Sequence, residues 1–378
     1  MNFQPLTEYL DALNQTEKVP CLSVVLCQEH QILYRHLAGN ADRAGHPLTD
    51  RHVFWIYSGT KLLTAVAVLQ LWERGKIALD DPVSRYLPAY AGLSDSLQIK
   101  HLLTMTGGLS YDIHSPSLTA LLRENPNCTT RQVAEAIAGE PLRFSPGSHF
   151  LYSLSADVLG AVCEVASDIE FADYLDQNIL TPLGMSNSSM RPGETWFSRM
   201  AQQYVYDSDT DTVRENPEGL RNSLVLSPRF ISGGAGLISN PGDYIRFADT
   251  LACGGISPEG YRLLGAPALE LLSRNHLSGQ ALKDYQSSRQ TPEYGYGFCV
   301  RTRLYEGEDG IPAGEFGWDG AAGFYTAVDP VHHISVAYAQ HIIGHTPAVR
   351  RIHPTLLRLI YQCMGLSHSS SVQDEEKH

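Results

Sequence analysis

Strand-forming residues in this chain gather at its two ends, and that split dictates the topology. Residues 21–28 and 31–39 are rich in Val, Leu and Ile and are parted by Gln28-Glu29-His30, a pattern that predicts a β-hairpin. The next strand-like runs are 294–303, 321–329 and 332–340, with Asp329-Pro330 as the turn between the last two. The first hairpin has no local partner layer, so it must pair with these C-terminal strands. Hairpin connections throughout imply an antiparallel sheet with helices on its faces.

The rest of the chain reads as helix. Apolar residues recur at helical spacing over 5–16, and over 58–74, where Gly75 supplies a stop. From about residue 80 to 230, Pro and Gly turns separate short helical patterns at 98–105, 117–124, 130–138, 155–167 and 170–180, with no strand alternation. Residues 241–253, capped by Ser239 or Asn240 and opened by Pro241, and 347–364 are further helices. The expected organisation is a discontinuous α/β sandwich domain (1–80 and 230–366), a mainly helical inserted domain (81–229) and a polar, disordered tail (367–378).

Charge narrows the partners. A formal net charge of −13 leaves no basic footprint for nucleic acid. No run of 18 apolar residues exists to span a membrane, and the N-terminus lacks a secretory pattern, so a cytoplasmic location is expected. The seven cysteines are scattered, mostly in apolar runs, with no C-x-x-C pair. They read as buried thiols, and no metal or cofactor is expected.

Chemistry concentrates at Tyr57-Ser58-Gly59-Thr60-Lys61. Ser58 opens the long helix and Lys61 is three residues on, so the two share a face. A serine hydroxyl is a weak nucleophile until a base takes its proton. Burial near the positive helix end disfavours an ammonium and suits Lys61 to that role. The Ser58 backbone N–H is placed to meet a developing oxyanion. Tyr152 lies ahead of a helix start, where nearby positive charge would stabilise its phenolate as a base. Phe316-Gly317-Trp318-Asp319-Gly320-Ala321-Ala322-Gly323 reads as a glycine-rich turn before a strand. Its small residues would let a substrate approach backbone closely, and the Ala321 N–H would be a second oxyanion donor. Each pattern is common when read alone.

Together, and in this order, they resemble the serine β-lactamase and penicillin-binding-protein superfamily, and within it the family VIII carboxylesterases and class C β-lactamase-like proteins. The likeness runs through Ser58-Gly59-Thr60-Lys61, Gly75 to Val83, His101 to Leu109, Pro146-Gly147, Tyr152-Ser153, Pro182 to Met185, Gly233 to Leu237, Tyr294 to Gly297 and Trp318-Asp319-Gly320. It implies an α/β sandwich beside a helical domain with the site between them. It also implies Ser58 as nucleophile, Lys61 and Tyr152 as acid/base partners, and the backbones of Ser58 and Ala321 as oxyanion donors.

Two departures bear on substrate. Where the superfamily's lactamases carry Y-x-N, Leu154 stands and cannot hydrogen-bond an amide. Where they carry K-T-G, Trp318-Asp319-Gly320 removes the lysine that attracts a substrate carboxylate, and Asp319 would add negative charge if it faced the cleft. An aromatic wall suits an uncharged acyl group. Tyr111 is a further candidate for that wall. Asp157 reads most simply as a favourable charge in a first helical turn. The expectation is therefore a carboxylesterase for small uncharged esters. An acyltransferase, a D-amino-acid amidase or peptidase, a weak β-lactamase, or an inactive binding protein with the same fold are the alternatives. The partner is a small-molecule ester or amide. No G-x-S-x-G elbow or H-E-x-x-H pair supports another mechanism.

Overall fold

In the computed structural model, which describes residues 1–94 and 96–367, the strands in chain order are β1 (Cys21–Gln28), β2 (Gln31–Gly39), β3 (Phe54–Trp55), β4 (Tyr204–Asp207), β5 (Thr212–Glu215), β6 (Ile238–Ser239), β7 (Tyr294–Tyr296), β8 (Arg301–Arg303), β9 (Phe316–Asp319), β10 (Tyr325–Asp329), β11 (Ile334–Ala339) and β12 (Ile342–Ile343). The main sheet runs β2-β1-β11-β10-β9-β8-β7 and is antiparallel at every pairing. The N-terminal hairpin joins the C-terminal strands through β1 and β11, with Ser23 opposite Ala339 and Gln28 opposite Ile334.

The pleat divides the core in two. Leu22, Val24 and Leu26 of β1 face one side with Val336 and Tyr338, under Leu6, Leu10 and Leu13 of helix Gln4–Thr16 and Leu356, Leu357 and Ile360 of helix His353–Met364. Cys21, Val25 and Cys27 face the other, against helices Thr60–Glu73 and Pro241–Ala252. A strand covered on both faces needs no polar alternation, which explains the apolar run the sequence shows there.

Three expectations change. Residues 294–303 are two short strands, β7 and β8, paired with each other about Gly297–Val300 rather than one strand. Residues 321–323 are the turn between β9 and β10, so Trp318 and Asp319 sit on a strand instead of in a turn before one. Gly317 lets β9 lie tight on β10, since a Cβ there would collide with the Thr326 carbonyl. Residues 81–229 include a hairpin, β4 and β5, which pairs with β12 through β4. Its strands are only four residues long and half-buried, with Tyr204, Tyr206 and Val213 packed on the core, too short a run to show in the sequence. The tail from residue 368 lies outside the described residues. No described helix is long and apolar enough to cross a membrane.

His341, beyond β11, ties the small sheets to the floor of the site. Its Nδ1–H donates to the Ala201 carbonyl at 2.8 Å, while Nε2 accepts from the Trp55 N–H at 3.3 Å and the Gln203 amide at 3.1 Å. That pattern requires the neutral ring, and burial pushes its pKa down to about 4. The unfolded ring binds a proton near pH 6.5, so this contribution is complete above that pH and is lost as pH falls toward 4. The shift corresponds to at most about 3 kcal/mol. In His341→Gln, denaturant unfolding measured between pH 7 and 4.5 is expected to show a shallower loss of stability than the parent. An unchanged slope would contradict the assignment.

Candidate active site

Ser58 is set by strain and by the helix behind it. Tyr57, immediately before it, has φ of 49°, a conformation that costs a bulky residue on the order of 1–3 kcal/mol. Burial of the Tyr57 ring and a 3.1 Å hydrogen bond from the Gln203 amide to its hydroxyl hold it there. The chain then enters a 3-10 turn, Tyr57–Gly59, continuous with helix Thr60–Glu73. Residues Thr60 to Leu71 are all buried, so the helix lacks a solvent face. Ser58 remains 7% exposed and Lys61 is 0% exposed.

Lys61 Nζ lies 3.2 Å from Ser58 Oγ and donates to the Gly234 carbonyl at 2.8 Å. The 232–236 loop that carries this carbonyl is clamped from both sides. Thr64 Oγ1 donates to the Gly233 carbonyl, and Asp157 accepts from Ser232 Oγ at 2.6 Å and from the Gly234 N–H at 3.1 Å. A Cβ on Gly233 would strike the Ala156 carbonyl, and one on Gly234 the Asp157 carboxylate, so the glycines are needed for this approach. Asp157 thus does more than charge a helix turn: it is buried and fixes the loop that orients Lys61. Burial raises its carboxyl pKa, opposed by the Lys61 charge and by these hydrogen bonds.

Tyr152 reaches the same point from the other side. Its segment is pinned by Leu151 N–H to the Met105 carbonyl and Leu154 N–H to the Ser110 carbonyl. The ring stacks between Tyr111, at 5.4 Å, and Trp318, at 5.6 Å, and Lys61 Nζ is 4.8 Å from its centre. The Trp318 indole N–H donates to the Tyr152 hydroxyl at 3.2 Å. The Ser58 hydroxyl is near enough to both Tyr152 and Tyr111 to oppose the rise in pKa that burial causes in each. Burial raises the Tyr152 pKa, and the hydrogen bonds from Ser58 and Trp318 only partly offset it. The expected resting phenolate is therefore replaced by a neutral phenol.

Asp319 does not present a free charge. It is ion-paired with Arg289, whose guanidinium also lies 4.8 Å from the centre of the Trp318 ring. Gly320 packs on the Ile56 carbonyl and the Phe324 ring packs on Gly59, which seats the turn carrying Ala321 against the serine turn. Leu154 and Tyr111 line a small cavity with Val133, Ile137, Leu226 and Phe230.

Residues 6–354 match the family described as Beta-lactamase. The chain belongs to the beta-lactamase family. Among relatives of this beta-lactamase-family chain, Esterase EstB of Burkholderia gladioli is 31% identical over 355 residues, 86% of each chain. Monacolin J acid methylbutanoyltransferase of Aspergillus terreus is 26% identical over 80% of each chain. The structure of EstCE1, described as a hydrolase with promiscuous acyltransferase activity, superposes with a TM-score of 0.77 at 24% identity, covering 94% of this chain and 97% of that one. The kinship is with β-lactamase-fold hydrolases, and the fold matches the one the motifs implied.

In this beta-lactamase-family chain, Ser58, Lys61, Tyr152, Tyr111 and Trp318 converge on one point. Asp157 and Arg289 were the residues that sequence reasoning missed in their present roles. For Asp157 the only signal was a charge in a first helical turn, because its partner Ser232 lies 75 positions on. For Arg289 there was none, because its partner lies 30 positions on.

Proposed function

We propose that this protein is a serine hydrolase that forms an acyl-enzyme on Ser58, acting as a carboxylesterase on small uncharged esters. The observation that carries the reading is Lys61 Nζ at 3.2 Å from Ser58 Oγ, with the Tyr152 ring centre 4.8 Å from the same amine. In this mechanism Ser58 Oγ attacks the ester carbonyl and its proton passes to Lys61 Nζ, which acts from its neutral amine form. The oxyanion is held by the Ser58 and Ala321 N–H groups. Tyr152, kept neutral by burial, protonates the departing alkoxide and regains its proton through Lys61. Water then attacks the acyl-enzyme and releases the acid. The name of the EstB relative supports ester hydrolysis, and likeness to a methylbutanoyltransferase favours acyl transfer as the second reading. Turnover of p-nitrophenyl butyrate beside nitrocefin tests substrate class, with the ester expected to be much the faster. Faster nitrocefin turnover would overturn the esterase reading. Ester product formed on added alcohols would assign transfer.

Substrate charge gives a sharper prediction. The Arg289–Asp319 pair cancels beside Trp318, so the wall is neutral. Asp319→Asn leaves the guanidinium without its carboxylate. The ratio of kcat/KM for a p-nitrophenyl hemisuccinate to that for the butyrate is expected to rise about tenfold, a change of about 1.4 kcal/mol. A ratio that stays constant would remove this pair from specificity.

A further inference from the structure

At the far end of helix Pro241–Ala252 from Ser58, three side chains with ligand atoms, His30, Asp249 and Cys253, meet under the β1–β2 turn, and Cys27 lines the cavity beside them. Cys27 and His30 are separated by two residues across the hairpin, and Asp249 and Cys253 by three, one helical turn apart. The His30, Asp249 and Cys253 ligand atoms all lie within 4.8 Å of one another. His30 Nδ1 is 2.6 Å from Asp249 Oδ2 and Cys253 Sγ is 3.8 Å from Asp249 Oδ1, while burial, and after it the nearby Asp249 charge, raises the Cys27 thiol pKa. Asp249 is buried, with only the half-exposed His30 as a possible positive partner among its hydrogen bonds. Glu29 and His30 both hold positive φ, 48° and 67°, which turns the imidazole onto the carboxylate. A cavity of about 210 Å³ lined by Cys27, His30 and Asp249 gives an ion a way in.

We propose that Cys27, His30, Asp249 and Cys253 form a structural site for a zinc-class divalent cation, clipping the hairpin to the helix. Two sulfurs, an imidazole and a carboxylate are the ligand types such an ion takes in tetrahedral sites, and thiolates select it over harder cations. Ligand distances of about 2.0–2.3 Å place neighbouring ligand atoms roughly 3.3–3.8 Å apart, so the Cys253–Asp249 spacing already fits. The His30–Asp249 pair must open by under about 1 Å. On binding, both thiols release their protons to solvent and His30 donates the Nδ1 lone pair. No electron changes hands.

The test uses the full-length protein, purified under reducing conditions, incubated with zinc chloride, desalted and analysed for metal content. One equivalent of zinc per chain is expected to be retained, with a raised thermal midpoint that a chelator reverses. Cobalt(II) in its place is expected to give a thiolate charge-transfer band. Cys253→Ala and His30→Ala are each expected to lose the retained metal, and Cys363→Ala, a cysteine elsewhere, to keep it. Ester turnover reports in each variant that the fold survives. Absence of retained zinc in the parent, or equal retention by Cys253→Ala and His30→Ala, would overturn the site.

Discussion

Ser58→Ala is expected to lower kcat/KM for p-nitrophenyl butyrate by on the order of 10⁴-fold or more, because in the proposed mechanism Ser58 carries the acyl group. Lys61 would keep its 2.8 Å hydrogen bond to Gly234, and Tyr152 its stack between Tyr111 and Trp318. The variant should therefore fold with a stability within about 1 kcal/mol of the parent. Loss of turnover without loss of the thermal transition marks the effect as chemical. Residual activity above about one per cent would mean that another residue carries the acyl group.

Tyr152→Phe is the second large effect. The substitution keeps the ring between Tyr111 and Trp318 and removes only the hydroxyl that meets Ser58 and the Trp318 indole. The aromatic stack is preserved, so KM should change little while kcat falls by about 10²- to 10⁴-fold, the usual worth of a positioned acid/base group. The pH profile gives an independent readout. Burial raises the phenol pKa, so the parent retains its proton donor well into alkaline solution, and any alkaline decline due to this group lies above the ordinary tyrosine range. A substrate with a p-nitrophenolate leaving group needs little protonation, so an alkyl ester should suffer the larger loss. A rise in KM with kcat preserved would make Tyr152 a wall of the pocket only.

What the sequence disclosed follows from how local each signal is. The Ser58–Lys61 relation is contained in one helical turn, so its geometry was legible from spacing alone, and the hairpin's need for distant partners followed from its lack of a local layer. The β4–β5 hairpin was hidden because its strands are only four residues long and neither is fully buried. The charge of Asp319 was misjudged because Arg289 meets it only after helix Gly279–Arg289 folds back on β9. Asp157 carried an ordinary helix-start signature, and its contact with the 232–236 loop exists only in three dimensions. The Cys27–His30 and Asp249–Cys253 pairs each have ligand spacing, but His30 and Asp249 are 219 positions apart, so neither half stands out alone.

The phenol state also shows a limit of composition-based electrostatics. The place of Tyr152 ahead of a helix start suggested a phenolate held by nearby positive charge, yet desolvation of the ring outweighs the hydrogen bonds and the Arg289 charge that favour it. The proton therefore starts on Tyr152, and the group serves the leaving alcohol better than it would serve the nucleophile.

Covalent capture of the nucleophile tests the central claim most directly. The intact protein treated with a fluorophosphonate probe is expected to gain the mass of a single adduct, mapped by peptide sequencing to Ser58, with no adduct on Ser58→Ala. An adduct on a different residue, or an unlabelled protein that still turns over p-nitrophenyl butyrate, would contradict the account.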